Sequence, residues 1–303
     1  MRRHASRTAE QNALFRALES SRPADRRLFD DSLALAFLRR PYGLVARLAV
    51  LPGIRQLVPW YIDHRWPGVR SSVVARTRLI DDAITASLQE RFEQLAILGA
   101  GFDSRAYRLP GLRELTVFEV DHPATQAGKR SVLERVLPAP PSHVRFVSTD
   151  FHQGSLESAM AAAGYRESAR SLILWEGVTN YLTGAAVDAT LRWCARASRG
   201  SRVLFTYIHR DVLTNPGKFV GTKNLFASLA SVGEQFTWGI EPEALPGFLA
   251  ERGLSLESDI GAAQYRERYF GDAAAGMRGH EFYRVALARV GSRAQAPNTS
   301  WPM

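Results

Sequence analysis

The chain has 303 residues, of which 46% are apolar and 23% charged, and this ordinary globular composition excludes disordered, collagen-like and fibrous proteins. One cysteine, Cys194, excludes an internal disulfide framework, and the seven histidines form no zinc-binding pattern, so we expect no metal. The formal net charge is +9. Because the arginines are spread along the whole chain and do not cluster, nucleic acid is an unlikely partner.

The sequence contains no pattern typical of secretion or of a membrane span. The basic segment MRRHASRTAEQ is followed by no apolar run, which a secretory signal requires. The most apolar stretch, Leu33 to Ile54, is interrupted by Arg39, Arg40 and Arg47 and is too broken to cross a bilayer. We therefore expect a cytoplasmic protein without a membrane partner.

Residues 1–92 are predicted to form a helical cap. Apolar residues recur at helical spacing over Thr8–Ser20, and a second helix is predicted over Ser32–Arg40, with Asp30 and Asp31 placed to cap it. A loop rich in proline and glycine is predicted over Pro52–Pro67, and a longer helix over Ser71–Arg91.

From residue 93 to residue 290 the chain alternates short apolar runs with helix-length segments. The first predicted strands are Leu95–Leu98, Leu115–Val120, Val144–Ser148, Ser171–Trp175 and Arg202–Tyr207. The predicted helices between them are Pro123–Val136, Ser155–Ala163 and Ala185–Ala197. This alternation is typical of an α/β fold, and we predict a Rossmann-like, doubly wound, mostly parallel sheet with an N-terminal helical extension.

The alternation is interrupted after the fifth strand, where residues 210–240 are predicted to form a lid insertion. A helix, Glu241–Arg252, and two strands, Leu254–Ile260 and Glu281–Val290, are predicted to complete the core. Residues 291–303 are predicted to be a flexible tail.

Residues suited to ligand binding follow four of the predicted strands. Ligands of a doubly wound sheet lie beyond the carboxyl ends of its strands. The residues at these ends are Gly99, Ala100 and Gly101 after the first strand, Asp121 after the second, Asp150 and Phe151 after the third, and Glu176 after the fourth. Each has a local explanation as well, a tight turn for the glycines and a helix cap for the aspartates.

The order of these residues indicates the ligand. Ser104 stands where a dinucleotide-binding motif has its third glycine, which disfavours a pyrophosphate. An acid after the second strand suits ribose hydroxyls, and Asp150 with Phe151 suits adenine. Glu176 would be costly to bury without a cation, which a ligand ammonium group would supply. A ligand with ribose, adenine and an amino acid but no phosphate is S-adenosyl-L-methionine.

Four motifs in this region resemble the leucine carboxyl methyltransferase family, a branch of the class I S-adenosylmethionine-dependent methyltransferases. They are LGAGFDSRAYRL, FEVDHP, STDF and WEGVTNYLT, and the similarity extends from about Thr8 to Val290. Two later segments, TYIHRD and GEQFTWGIEPEAL, are most similar to the bacterial branch that includes polyketide carboxyl O-methyltransferases.

The resemblance implies a role for several residues. Arg76, with Arg78 as its rival, would hold the methionine carboxylate, and Glu176 would lie near the methionine amino group. The remaining cofactor contacts that it implies are Gly99 in the first loop, Asp121 on the ribose, Asp150 and Phe151 at the adenine, and Arg7 at the position of a lysine in eukaryotic members. Glu119 would share the face of Asp121 or support it, and Asp103 and Arg105 would form an ion pair that braces the first loop.

The methyl acceptor is less well defined by the sequence. A carboxylate is already ionised and needs a cationic pocket, whereas a phenol gains from a general base. Tyr181, His209 and Arg210 follow the fourth and fifth strands and are the candidate catalytic residues, with Arg210 for a carboxylate and His209 for a phenol. A wall of aromatic residues is predicted to favour an aromatic acceptor, and it comprises Trp60, Tyr61, Trp66, Phe219, Phe226, Phe236 and Trp238.

We therefore expect an O-methyltransferase that acts on a carboxylate or phenol of a small molecule, such as a polyketide-like or aromatic secondary metabolite. The excess of positive charge favours an anionic acceptor. One alternative is methylation of a protein C-terminal carboxylate. Another is an RNA methyltransferase, although Trp175-Glu176-Gly177-Val178 stands where amino-methylating enzymes often carry an N/D-P-P-Y/F motif.

Overall fold

The computed structural model describes residues 7–139, 141–149 and 155–291. The helices in these ranges are α1 (Arg7–Ser20), α2 (Tyr42–Leu48), α3 (Ile54–Arg65), α4 (Val69–Ser87), α5 (Arg105–Arg108), α6 (Pro123–Val136), α7 (Leu156–Ala162), α8 (Gly184–Cys194), α9 (Asp211–Thr214), α10 (Thr222–Ser231), α11 (Leu245–Ala250) and α12 (Ala262–Phe270). The strands are β1 (Gln94–Leu98), β2 (Thr116–Asp121), β3 (Val144–Ser148), β4 (Ser171–Trp175), β5 (Arg202–Ile208), β6 (Leu254–Gly261) and β7 (Tyr283–Val290).

The strands form one seven-stranded sheet in the order β3-β2-β1-β4-β5-β7-β6. Strands β1 to β5 run parallel to their neighbours, and β7 lies antiparallel between β5 and β6. The chain moves outward from β1 to β3 and then returns to β4 on the other side of β1, which makes a switch point between β1 and β4. The predicted Rossmann-like, mostly parallel fold is confirmed.

The central strands are apolar along their whole length because helices cover both faces of the sheet. Every residue of β1, β4 and β5 is buried. In β1, Ala96 and Leu98 face a core built with α7, α8 and α11, whereas Leu95 and Ile97 face a core built with α4 and α12.

Helix α4 is the covering layer of the sheet next to the switch point. Leu79, Ile80 and Ile84 are fully buried and pack in the same core as Leu95 and Ile97. Its other end packs with α1, α2 and α3 through Val73 and Val74. Helix α4 therefore links the N-terminal helices to the sheet, and the predicted division at residue 92 stays a prediction.

Two predictions for the N-terminal segment are wrong. The predicted loop Pro52–Pro67 contains helix α3, which forms in spite of Pro59 because Val58 and Ile62 pack against the cluster of α1 and α4. The predicted helix Ser32–Arg40 is only a short 3-10 turn, Ala34–Phe37. Asp31 does cap this turn, since its carboxylate accepts from the Ala34 N–H at 3.1 Å.

The predicted lid insertion carries α9 and α10 between β5 and the short helix α11. Phe219, Phe226 and Phe236 of this segment pack with Ile208 and Phe282 in a small cluster of their own. Among the described residues, none of the helices combines the length and the apolar character that a bilayer span requires.

Candidate active site

A cavity of about 1110 Å³ lies at the carboxyl edge of β1, β2 and β4, beside the switch point. Its wall also includes residues of α1, α4 and the 210–240 segment. Its volume exceeds the roughly 300–1,000 Å³ of typical small-molecule pockets, which leaves room for a cofactor and an acceptor. The predicted site residues that line it are Arg76, Gly99, Ala100, Gly101, Asp121, Glu176 and Tyr181.

The loop after β1 approaches the loop after β4 so closely that only glycine fits. Gly99 has a φ of +71°, and a Cβ atom there would lie 2.4 Å from Cγ2 of Val178. The backbone N–H groups of Gly99 and Ala100 both donate to the carbonyl of Val120, at 2.8 and 2.9 Å. The loop is therefore fixed to the end of β2, and its backbone faces the cavity.

Asp121 ends β2 and is held by two backbone N–H groups. Its carboxylate accepts from the Gly101 N–H at 2.5 Å and from the His122 N–H at 2.6 Å. Burial raises the pKa of Asp121 above its ordinary value, although these two hydrogen bonds oppose the shift. His122 caps α6 as expected, because its ring Nδ1 accepts from the Ala124 N–H at 3.2 Å.

Glu119 supports β2 from inside the core. Its carboxylate lies 2.7 Å from the Lys129 ammonium of α6, and both side chains are almost completely buried. Burial raises the pKa of Glu119, and the charge of Lys129 partly reverses that shift. Glu119 does not line the cavity, so it stands behind Asp121 as the supporting acid.

Glu176 lies between two buried arginines. Its carboxylate oxygens accept from Nε of Arg76 at 2.7 Å and from Nη1 of Arg105 at 2.8 Å. Burial alone would raise the pKa of Glu176, but the charges of Arg105 and Arg76 hold it below its ordinary value. The protein itself therefore supplies cationic partners to Glu176, and the contact of Glu176 with a ligand ammonium group stays a prediction.

Arg105 joins three carboxylates in one network. The expected ion pair with Asp103 is present at 2.5 Å, and Nε also donates to Asp81 of α4 at 2.7 Å. Burial would lower the pKa of Arg105, but Asp103, Glu176 and Asp81 raise it well above its ordinary value. The contacts with Asp81 and Glu176 were not predicted, because neither residue is near Arg105 in sequence.

Arg76, and not its rival Arg78, faces the cavity. Arg76 is 3% exposed and lies over the ring of Tyr283, with its guanidinium carbon 4.6 Å from the ring centroid. Arg78 points elsewhere, since its Nε donates to Asp82 at 2.8 Å and it does not line the cavity.

Two predicted cofactor residues, Asp150 and Phe151, lie outside the described residues, so their adenine contacts stay predictions. Ser148, Thr149 and Ser155, on either side of them, do line the cavity. Arg7 is the first residue of α1.

The three candidate catalytic residues are not brought together. Tyr181 lines the cavity, and burial raises its pKa, as do the nearby Tyr283 and Glu234. His209 and Arg210 do not line it. The His209 ring contacts Glu241 at 3.2 Å and accepts from the Asp211 N–H at 3.1 Å, and Arg210 is exposed.

The predicted aromatic wall does not face the cavity either. Phe226 packs edge-on against Phe236 with centroids 5.8 Å apart, and Phe236 packs against Tyr181 at 5.4 Å. Trp60 and Tyr61 are exposed on the other side of the N-terminal helices. The three lid phenylalanines therefore form a small core of their own, Trp238 packs against the main core, and Phe236 contacts Tyr181 at the cavity wall.

Glu234 of the 210–240 segment is a cavity residue that our sequence reasoning did not predict. It is 8% exposed, and its carboxylate accepts a hydrogen bond from the Thr8 hydroxyl of α1. Both residues line the cavity. The contact joins positions 226 apart in the chain, and sequence periodicity contains no signal for such a pairing.

Comparison with known proteins identifies the family. Residues 9–195 match the model of the leucine carboxyl methyltransferase family. A relative from Parafrankia sp. (strain EAN1pec), provisionally named an S-adenosyl-L-methionine-dependent methyltransferase, is 30% identical over 86% of this chain and 81% of its own length. The chain belongs to the leucine carboxyl methyltransferase family.

A second relative agrees with this assignment, and a solved structure shares the fold. A family member from Streptomyces coelicolor with the same provisional name is 34% identical over 68% of this chain and 70% of its own length. The crystal structure of a protein from Thermobifida fusca described as a methyltransferase superposes with a TM-score of 0.58 at 15% identity, and covers 92% of this chain and 94% of that one. At that identity the likeness concerns the fold.

The chain is an S-adenosyl-L-methionine-dependent methyltransferase. The part that matches the leucine carboxyl methyltransferase model contains Arg76, Asp121, Glu176 and Tyr181, whereas Glu234 lies beyond it. These four cavity residues are therefore within the family match, and the 210–240 segment adds its own acid to the wall.

Proposed function

We propose that this methyltransferase transfers the methyl group to a hydroxyl oxygen, a phenol in the first instance, of a small aromatic molecule bound in the cavity. The observation that supports this acceptor is the carboxylate of Glu234, which lies at the cavity wall near the Tyr181 hydroxyl. A carboxylate in this place is suited to accept a proton from a hydroxyl group.

The cofactor contacts are assigned to residues whose geometry fits S-adenosylmethionine. The backbone at Gly99 leaves no room for a side chain, and Asp121 presents a buried carboxylate to the same space. Arg76 binds Glu176 through Nε, and within the described residues its terminal nitrogens form no hydrogen bond, so they are donors for the methionine carboxylate. Asp150 and Phe151 complete this assignment at the adenine.

Methyl transfer requires little of the protein beyond the correct positioning of cofactor and acceptor. S-adenosylmethionine, when bound, supplies a methyl group that is already activated on a sulfonium. Placing the acceptor oxygen in line with that methyl group accounts for most of the catalysis, since orientation is worth about 7–11 kcal/mol. Glu234 takes the proton that the hydroxyl loses as its oxygen gains the methyl group, and Tyr181 orients the acceptor.

A carboxylate acceptor is the second candidate, and the family description supports it. Such an acceptor is ionised near neutral pH, so it needs a cation and no base. The arginines that line the cavity are already paired, Arg76 with Glu176 and Arg16 with Asp31 at 2.8 Å. Arg210, which we predicted for this role, does not line the cavity, so we place the hydroxyl acceptor first.

The first experiment is calorimetric titration with S-adenosylhomocysteine. Wild-type protein is expected to bind it, and Asp121→Ala to bind it more than tenfold more weakly, because the ribose hydroxyls lose their acceptor. Asp188→Ala, which removes a surface carboxylate from α8, is the matched control and is expected to bind normally. Absence of binding in the wild type would contradict the assigned cofactor site.

The second experiment tests the acceptor with labelled methyl groups and a panel of phenols and aromatic acids. Glu234→Gln is expected to bind S-adenosylhomocysteine normally but to lose about 10²-fold or more in turnover of phenols. Alkaline treatment separates the products, because methyl esters are cleaved and phenol ethers survive. An ester product would show that the acceptor is a carboxylate and not a hydroxyl. Full turnover of phenols by Glu234→Gln would show that Glu234 is not the base.

A further inference from the structure

The outer side of α2 and α3 is unusually apolar for a protein surface. Among the described residues ten large apolar side chains are exposed, and eight of them lie between positions 35 and 61. Seven of these eight form what we call the α2–α3 face: Leu44, Leu48, Val50, Leu51, Leu57, Trp60 and Tyr61. Single exposed apolar residues are common, but a concentration of this kind marks an interaction surface.

These side chains point outward because the inner sides of the two helices are already occupied. Ala46 of α2 and Ile62 of α3 are buried in the cluster that includes Leu14 of α1 and Val73 of α4. The exposed residues follow helical spacing on the opposite side, as Leu44 and Leu48 do on α2. Trp60 is 61% exposed, and its ring stacks on His64 of the same helix.

The charged residues of the segment that contains this face all have one sign. Between Asp31 and Asp63 the sequence contains four arginines and no acidic residue. These four are Arg39, Arg40, Arg47 and Arg55. In the part of the chain that the structure describes, none of the four forms an ion pair, whereas the neighbouring Arg70 binds Asp63 at 2.5 Å. The partner of this face must therefore be both apolar and anionic.

We propose that the α2–α3 face docks on the surface of an anionic phospholipid bilayer. The leucines, Trp60 and Tyr61 enter the boundary between head groups and acyl chains, and the arginines contact lipid phosphates. Indole and phenol rings suit this boundary because one end is apolar and the other polar. The same segment is too broken by arginines to span the bilayer, which fits a helix pair that lies on it.

Two other occupants fit the face less well. A second copy of the chain would bring the same four arginines against each other. A protein partner needs hydrogen-bond donors and acceptors that match its own, but between residues 42 and 61 the exposed side-chain acceptors are the Gln56 amide and the Tyr61 hydroxyl. A fluid array of lipid phosphates requires no such match.

The test is sedimentation of the full-length chain with vesicles of phosphatidylcholine alone or mixed with phosphatidylserine. We expect at least tenfold more binding to the vesicles that contain phosphatidylserine, and loss of this difference in high salt. Leu57→Ser/Trp60→Ser and Arg47→Gln should each weaken binding. The matched controls Val136→Ser and Arg113→Gln change exposed residues of the same types elsewhere and should bind as the wild type does.

Three results would overturn the proposal. They are no preference for phosphatidylserine, equal loss of binding in the control variants, and a lipid-free dimer that Leu57→Ser/Trp60→Ser separates into monomers by light scattering. The last result would assign the face to a second copy of the chain. Arg47→Gln keeps the test valid if the double variant fails to fold, which circular dichroism detects, because Arg47 is exposed and unpaired within the described residues.

Discussion

The cavity wall depends on a few buried charges whose partners come from different elements. Arg105 alone contacts Asp81 of α4, Asp103 of the β1 loop and Glu176 after β4. Breaking a buried pair by removing one partner is costly because the other charge stays buried. The network therefore fixes the positions of the β1 and β4 loops relative to α4.

Asp103→Asn is predicted to make stability depend less on pH in acid. The Arg105 guanidinium overcomes the effect of burial and holds the pKa of Asp103 at about 2, below its ordinary 3.8. The folded chain therefore binds its proton less readily than the unfolded chain, so this carboxylate stabilises the fold above pH 3.8, and the contribution is lost as the pH falls toward 2. The shift corresponds to about 2 kcal/mol.

Denaturant unfolding at a series of pH values measures this effect. The difference in free energy of unfolding between wild type and Asp103→Asn should be largest near neutral pH and should shrink as the pH falls to about 2. Asp272→Asn, at an exposed carboxylate, serves as the control and should follow the wild type throughout. A difference that is the same at every pH would show that Asp103 acts through packing alone.

Residues at strand ends were predictable from sequence, whereas residues that meet across the fold were not. Asp121 and Glu176 end apolar runs, and the topology of a parallel sheet places such residues at one edge. Glu234 is brought to the same cavity by the path of a long insertion, and its partner is Thr8 at the other end of the chain. The periodicity of apolar residues and the spacing within motifs describe local structure, and they contain no information about a contact between distant segments.

At the scale of elements, the cavity is shaped by how closely the β1 and β4 loops approach. Gly99 contacts Val178 where any side chain would collide with its Cγ2 atom. The Gly177 N–H, in the same β4 loop, donates to the Thr206 hydroxyl of β5 at 2.7 Å. Because both loops are fixed to strands, neither can retreat far from an added methyl group.

Gly99→Ala is predicted to lower the affinity for S-adenosylhomocysteine by at least tenfold. The new Cβ atom, 2.4 Å from Val178, forces the β1 loop out of the position that the cofactor requires. The double variant Gly99→Ala/Val178→Ala should regain much of the affinity, because it removes the colliding Cγ2. Calorimetric titration of both variants measures the change.

Gly271→Ala is the matched control for backbone strain. Gly271 also has a positive φ, +53°, but nothing lies within 4 Å of a Cβ atom there. Both substitutions should therefore lower the free energy of unfolding through backbone strain, but only Gly99→Ala should lose affinity for S-adenosylhomocysteine. Equal losses of affinity in both variants would contradict the role assigned to the collision.

Elements with a strong pattern were predicted well, and those stabilised by tertiary contacts were not. The bounds of α6, Pro123–Val136, and of β3 and β4 are as predicted, because a proline start or a short apolar run defines each one. Helix α3 contains Pro59 and follows Pro52 and Gly53, so its sequence indicated a loop. Burial of Ile62 and Val58 in the N-terminal cluster outweighs the cost of that proline.

At the scale of the whole molecule, the positive charge has more than one use. Many arginines are paired with carboxylates inside the fold, such as Arg76, Arg105 and Arg202. Others, on the α2–α3 face, have no acidic neighbour in sequence. The net charge of +9 therefore does not by itself define the charge of the acceptor, and an anionic acceptor stays a prediction.

The single cysteine makes it possible to measure how much ligand binding in the cavity stabilises the whole fold. Cys194 ends α8 and is fully buried in the core on one face of the sheet, and burial raises the pKa of its thiol. A thiol reagent is predicted to react with it only when the protein unfolds globally, because both β4 and β5 would have to separate from α8. The rate of labelling in native buffer then reports the global unfolding equilibrium.

Ligand binding should slow the labelling of Cys194 by the same factor by which it lowers the unfolded fraction. Because the cavity exists only in the folded chain, S-adenosylhomocysteine at about 100 times its dissociation constant should stabilise it by about 2.7 kcal/mol and slow labelling about 100-fold. Asp121→Ala at the same ligand concentration should be protected far less, in proportion to its weaker binding. If the ligand binds normally but does not slow labelling of the wild type, Cys194 becomes accessible without global unfolding. In that case α8 opens while the cavity stays folded.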